Sequence, residues 1–302
     1  MYQVIKTLLF LVGILSMSNL YATTTHPVLK IYEQFHTIKE ENAISPYIVS
    51  IYAIDLLENG DHNEIVSDFI LWYTTHANKL DCFGVSGTIY DYVIDKNGTE
   101  HPLKTYDSAD GYAGMYLYLV TKYYQKTKDR TLLNKIWSTI EDNIYLILYL
   151  QDKDGLTKAL AHKNYEIKYL MDNVESFLGV KSYLYLVNEL NKPALKYEGL
   201  RDTLKNAILT ELYNKKTKTF YWAKENNTYS EVNNSIYYPD LFSKIHLLAF
   251  WGEEIDEDMR TKLWKDIIHF YTYSTANTSM EQMIIFNWAK NFSLKNINKD
   301  RK

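Results

Sequence analysis

Two stretches of this 302-residue chain are built alike: Asp107-Ser108-Ala109-Asp110-Gly111-Tyr112-Ala113-Gly114 and Asp172-Asn173-Val174-Glu175-Ser176-Phe177-Leu178-Gly179. Each puts an acid where a helix is expected to begin and a second acid three residues later. Each then runs into an amphipathic helix. About sixty residues separate them. Such a recurrence points to stacked helical pairs. Here it predicts a ring of helical hairpins with carboxylates gathered at one mouth.

The rest of the chain keeps this rhythm. Apolar residues recur with a period near 3.6, and prolines number only 5. Ser45-Pro46 reads as an N-cap with proline at the first helical position, opening a helix with Ile48, Ile51, Tyr52 and Leu56 on one stripe and Gly60 at its end. Its partner is expected over 62–77. Between 81 and 105 the pattern changes: Thr88 to Ile94 is β-prone and Asp95-Lys96-Asn97-Gly98 is a turn, so a small β-hairpin is expected. Further helical pairs follow, with a short strand at Phe220-Tyr221-Trp222. Helix starts near Ser45, Asp107, Asp172, Pro239 and Thr278 mark the first member of each pair. Short turns join the members of a pair and long loops join the pairs. The long loops and the N-termini of the first helices therefore share one face, where function is expected.

The first 22 residues read as an export signal. A short start with one lysine precedes the apolar run 7–17, which is too short to span a bilayer, and cleavage is expected after Ala22. The mature chain, 23–302, shows no linker and is expected to be one domain, periplasmic or extracellular, without stable membrane insertion and monomeric. Its 33 basic and 37 acidic residues nearly balance, with no basic run interleaved with aromatics, which argues against nucleic-acid binding. Cys82 is the single cysteine, so no intrachain disulfide can form, and a buried filler role is expected for it. No cofactor motif is present. The 8 histidines lack ligand spacing, so no metal is expected, and only His162 falls at the expected cleft.

The paired acids admit two readings. Asp107 and Asp172 fit N-cap positions, with Asp110 and Glu175 as reach-back partners of capping boxes; Thr278 and Glu281 have the same form. The chemical reading is that the two groups meet. Cleavage of a glycosidic bond needs two carboxylates about one bond, one protonated and one ionised. A capping Asp suits the base, and Asp110, beside Asp107, is a candidate donor through like-charge repulsion. Asp91 is a further candidate donor. Tyr106, Tyr112, Tyr169, Trp222 and Tyr238 are candidate sugar-stacking residues, in keeping with a chain holding 28 tyrosines and 6 tryptophans. Lys158, Lys163 and Lys168 read as a solvated loop.

In order along the chain come the Ser45-Pro46 hairpin, GTIYDY at 87–92, YDSADGYAG at 106–114, QDKDGLT at 151–157, KYLMDNVESFLG at 168–179, FYWA at 220–223 and YYPDLFS at 237–243. This series resembles the six-hairpin glycosidase superfamily, distantly like family 8 glycoside hydrolases. The resemblance implies an all-α (α/α) toroid with a small β-hairpin insertion, and the count of about ten or eleven helices leads to the expectation of a trimmed or open ring. It also implies action on a polysaccharide or oligosaccharide. The expected activity is an inverting glycoside hydrolase with Asp110 and Asp172 as the main pair and Asp107 and Glu175 as alternates. A noncatalytic carbohydrate-binding or polysaccharide-secretion protein on the same scaffold is the alternative, followed by a polysaccharide lyase.

Overall fold

The computed structural model describes residues 26–39, 42–162, 164–193, 195–274 and 278–299; the expected signal segment 1–22 and Lys163 lie outside them. The helices are α1 (Pro27–Gln34), α2 (Pro46–Asn59), α3 (Asn63–His76), α4 (Ala109–Thr127), α5 (Arg130–Lys135), α6 (Trp137–Leu150), α7 (Leu170–Glu189), α8 (Leu195–Glu211), α9 (Phe242–Trp251), α10 (Glu257–Ser274) and α11 (Met280–Lys299).

Helices α2, α4, α7, α9 and α11 form an inner ring. Going round it, α2 packs on α4, α4 on α7, α7 on α9, α9 on α11, and α11 back on α2. The described residues thus close the ring with five inner helices. An outer layer covers them: α3 lies against α2 and α4, α6 against α4 and α7, α8 against α7, and α10 against α9 and α11. Of the inner helices, α4 is the most enclosed by protein, and its sequence reflects it. Met115, Tyr116 and Leu117, three consecutive residues of α4, are all fully buried.

One contact sets the geometry of the acidic motifs. Gly114 of α4 and Gly179 of α7 face each other so closely that a Cβ added at Gly179 would lie 2.6 Å from the Gly114 Cα. A Cβ added at Gly114 would lie 2.3 Å from the Glu175 carbonyl oxygen. The two backbones touch because neither residue carries a side chain. The two eight-residue stretches therefore lie side by side.

Three small antiparallel sheets complete the fold. Strand β1 (Asn42–Ile44) pairs with β2 (Tyr92–Ile94), which pairs with β3 (Glu100–Pro102). The expected hairpin is present, but its first strand is shorter than 88–94 and it gains β1 as a third strand. Strands β5 (Tyr213–Asn214) and β6 (Thr219–Phe220) form a two-stranded ribbon, and β4 (Ile167–Tyr169) pairs with β7 (Ala223–Glu225), which pairs with β8 (Thr228–Ser230). The expected strand at 220–222 is split, with Tyr221 and Trp222 between β6 and β7.

Two further expectations are corrected. Cys82 is exposed, on the irregular segment between α3 and β2, and fills no core position. Lys168 is no solvated loop residue: it is 5 % exposed, and its Nζ meets Asp152 at 2.6 Å and Asp154 at 2.8 Å. Its neighbour across β4 and β7, Lys224, bonds Asp154 and Glu211. The crowded carboxylates draw both ammonium groups inward.

Candidate active site

The five inner helices all point their N-termini at one cavity of about 340 Å³, a size suited to a small ligand. Ser45 and Tyr47 come from the start of α2, Asp107, Ser108 and Tyr112 from the start of α4, and Asp172 and Glu175 from the start of α7. Tyr238 and Phe242 introduce α9, and Glu281 and Gln282 open α11. Asp91 reaches in from the segment leading into β2.

None of the paired acids acts as a helix cap. The N-cap of α4 is Ser108, which leaves Asp107 outside the helix and Asp110 at its second position. The N-cap of α7 is Tyr169, which makes Asp172 the third helical residue and puts Glu175 in the second turn. Neither N-cap side chain makes a capping hydrogen bond. Loop carbonyls do that work instead. The Ala109 amide donates to the Ala159 carbonyl at 2.6 Å, and the Leu170 amide donates to the Trp222 carbonyl at 2.9 Å. One first-turn amide of each helix is thus met by a loop carbonyl, while the Gly111 amide of α4 is met by Asp110 Oδ1. On α11 the reach-back partner is Gln282, whose Oε1 accepts from the Ser279 amide, in place of Glu281; Glu281 faces the cavity.

Asp172 borders the cavity, yet its Oδ2 is buried and has no hydrogen-bond partner among the described residues. Burial, and then the charges of Asp110, Glu175 and Asp107, push its carboxyl well above the usual range. Asp107 is exposed at the mouth and is raised by burial and then by Glu175. Asp91 is pushed up to about 6, by burial first and by Asp107 in addition, against a 2.9 Å hydrogen bond from the Tyr112 hydroxyl. Glu175 is 1 % exposed. Its Oε1 accepts from the Tyr47 hydroxyl at 2.6 Å and meets His246 Nε2 at 2.8 Å. His246 is fully buried and its Nδ1 has no partner among the described residues, so the proton is assigned to Nε2, facing Glu175. A Cβ added at Gly111 would sit 2.5 Å from Glu175 Oε2 and 3.7 Å from Asp172 Oδ1, so no more than the sum of those lengths separates these oxygens.

Asp110 does not line the cavity. It is fully buried behind the wall, with Oδ2 accepting from the Thr157 hydroxyl at 2.6 Å and Oδ1 from the Gly111 amide at 3.0 Å. Burial raises it to about 7 in spite of those bonds. Its influence on the cavity runs through its charge on Asp172.

The expected stacking residues divide. Tyr112 and Tyr238 line the cavity, and the Tyr112 ring stacks on Tyr47 with centroids 5.8 Å apart. Tyr106 does not line it: its hydroxyl donates to Asp81 at 2.7 Å and its ring stacks on Tyr90. Tyr169 and Trp222 stack on each other at 6.2 Å, nearly parallel, also off the cavity wall. His162 packs on Phe83 and is exposed; the histidine at the acids is His246. Among the described residues no group of three or more His, Cys, Asp or Glu side chains is arranged to hold a metal ion. No described helix is long and apolar enough to cross a membrane.

The sequence matches no protein-family model and no curated protein. Solved structures do resemble it. The GH78 family rhamnosidase of Bacillus sp. GL1 matches with a TM-score of 0.56 at 10% identity, over 85% of this chain and 26% of that one. A rhamnosidase from Klebsiella oxytoca, solved with rhamnose bound, matches with a TM-score of 0.58 at 12% identity, over 86% of this chain and 48% of that one. The chain spans about a quarter of the first enzyme and about half of the second. At these identities the likeness concerns architecture. The chain has an (α/α) toroid fold, here closed by five inner helices among the described residues.

Proposed function

We propose that this protein is an exported carbohydrate-active enzyme, a glycoside hydrolase that cleaves an oligosaccharide or polysaccharide in the cavity at the N-terminal mouth of the ring. The observation that carries this reading is Asp172. A cavity-lining carboxyl with a buried, unpartnered oxygen and three acids around it favours its protonated form, which is the form a general acid needs. Asp172 donates its proton to the glycosidic oxygen as the bond to the anomeric carbon breaks. Asp107, exposed at the mouth, takes a proton from the attacking water. Asp110 is a positioning residue, keeping the proton on Asp172 through its charge.

Glu175 is a poor base. It is shielded and doubly bonded, and its Oε2 lies nearer to Asp172 than the roughly 6.5 Å that an intervening water requires. Water held by Asp107 attacks in a single displacement, so inversion at the anomeric carbon follows. The half-exposed Tyr238 offers an apolar face to a sugar, beside the stacked pair of Tyr47 and the buried Tyr112.

The test is release of reducing ends from a panel of polysaccharides by the mature protein and by Asp172→Asn and Asp107→Asn. Each variant is expected to lose roughly 10²- to 10⁴-fold in kcat with its circular dichroism unchanged. Full activity in both folded variants would end the assignment. Tight glycan binding without new reducing ends would support a noncatalytic carbohydrate-binding protein instead. Cleavage during secretion, read from the N-terminal residue of protein recovered outside the cytoplasm, tests the export signal.

A further inference from the structure

His246 sits in the buried stretch 241–248 of α9 and its approach, where leucine or phenylalanine would pack without a polar cost. Its ring lies against Phe242 and Phe250, its Nδ1 has no partner among the described residues, and its Nε2 bonds Glu175. Packing alone gives no reason for an imidazole here; Glu175 does.

Tyr47 reaches the same carboxylate from α2. Its hydroxyl donates to Oε1 at 2.6 Å, and His246 Nε2 donates to that oxygen at 2.8 Å. With Oε1 taken twice, Oε2 is turned toward Gly111 and Asp172. A Cβ added at Gly111 would lie 2.5 Å from Oε2 and 3.7 Å from Asp172 Oδ1, so glycine leaves the room that this carboxylate fills.

Glu175 is also the charge that the neighbouring acids share. It raises Asp107 and Asp110 in addition to burial, and with Asp110 and Asp107 it adds to the burial of Asp172. The titratable groups facing it are Tyr47 from α2, Asp107 and Asp110 from α4, Asp172 from its own helix, and Tyr238 and His246 from α9 and its approach. Among the described residues its side-chain donors are Tyr47 and His246. A carboxylate only 1 % exposed would take up a proton if those donors were removed, and the other three acids would then lose its charge.

We infer that Tyr47 and His246 are positioning residues that act through Glu175: by donating to one of its oxygens from two helices they keep it a carboxylate, and its charge keeps the proton on Asp172. The inference rests on the reading of Asp172 as the proton donor.

The experiment follows the carbon-13 carboxyl signals of Asp172 and Asp107 against pH in the mature protein and in three variants. Tyr47→Phe keeps the ring and loses the hydroxyl. His246→Leu loses the N–H donor, and His246→Gln keeps one. At the separation of about 6 Å set by Gly111, and an effective dielectric near 20, a unit charge is worth roughly 2 pH units. Partial loss of that charge is expected to lower both midpoints by about 0.5–2 pH units in Tyr47→Phe and His246→Leu, with His246→Gln staying closer to the parent. The alkaline limb of kcat/KM for reducing-end release should move to lower pH by the same amount, because the donor loses its proton sooner. A role confined to packing would lower thermal stability and leave both midpoints in place.

Unmoved midpoints in Tyr47→Phe and His246→Leu proteins with the parent's circular dichroism would overturn the inference, as would a His246→Gln protein whose midpoints fall as far as those of His246→Leu. If His246→Leu does not fold, Tyr47→Phe decides by the same midpoints. If the parent releases no reducing ends from any polysaccharide, the hydrolytic reading fails and the midpoints still decide: a fall supports the inference and constancy overturns it.

Discussion

Replacing Gly114 by alanine tests how the acids come together. The added Cβ would lie 2.3 Å from the Glu175 carbonyl oxygen, 2.6 Å from its carbon and 3.0 Å from the Ser176 nitrogen. All three are backbone atoms, so no side chain can swing aside. Restoring ordinary contact near 3.5 Å requires α4 and α7 to part by about 1 Å. Overpacking of this kind costs about 1–3 kcal/mol. Alanine in a helix interior returns up to about 1 kcal/mol relative to glycine. The net expectation is a loss of about 1–2 kcal/mol, with activity falling further, because the same displacement moves Asp172 and Glu175 away from Asp107. Gly179→Ala meets the Gly114 Cα at 2.6 Å and should behave alike. Once the helices have parted, the second methyl fits easily, so the double variant should cost clearly less than the two single costs combined. Urea denaturation with an unchanged m-value gives the stabilities. A Gly114→Ala protein more stable than its parent by about 0.5–1 kcal/mol would refute the backbone contact.

Other outcomes follow from features around the site. Glu100 accepts hydrogen bonds from His26, His76 and Trp72; burial pushes it up, but these donors outweigh burial and hold it well below the usual range. His76, pushed down by burial, is raised overall by Glu100. The depressed acid contributes stability above its unfolded pKa near 4.3, lost as pH falls, and the raised histidine contributes below about 6.5, lost as pH rises through its folded value. The gap in stability between parent and Glu100→Gln, followed by thermal denaturation, should therefore be widest between about pH 4.3 and 6.5. Asp110 has the opposite sign to Glu100: raised to about 7, it contributes stability below about pH 4 that fades as pH climbs to 7, so Asp110→Asn should flatten the decline across that window in the same assay. Lys168→Met leaves Asp152 and Asp154 short of a buried cation and should cost about 3–5 kcal/mol in urea denaturation.

The arrangement of helices was legible because it rests on apolar periodicity, which a ring imposes on every pair. The five starts read near Ser45, Asp107, Asp172, Pro239 and Thr278 are the starts of the inner helices, which begin at Pro46, Ala109, Leu170, Phe242 and Met280. The recurrence of acids near those starts also pointed to the cavity mouth, where Asp107, Asp172 and Glu175 lie. The capping geometry was not legible. An acid followed by another three residues on fits a capping box locally, and only the loop carbonyls of Ala159 and Trp222, distant in sequence, decide where the first amides of α4 and α7 are bonded.

That same dependence on distant partners hid Asp110 behind the wall, since Thr157 draws it inward from the loop preceding β4. His246 was missed because it belongs to no motif. Its signal was its setting in Leu241-Phe242-Ser243-Lys244-Ile245-His246-Leu247-Leu248, where a histidine in a buried apolar run needs an acidic partner. Tyr106 and Trp222 were misplaced for a related reason: an aromatic beside the site in sequence stacks on whichever ring the loop brings to it, Tyr90 in one case and Tyr169 in the other.

Carbon-13 NMR of labelled aspartate carboxyls, with Asp172 assigned through Asp172→Asn, tests the account most directly. Asp172 is expected to keep its proton well above the range of an exposed aspartate, and its midpoint should fall when Asp110→Asn removes the neighbouring charge. A midpoint near 4 that ignores Asp110 would mean that the carboxyl at the cavity wall is an ordinary ionised one, and would remove the proton donor from the reaction.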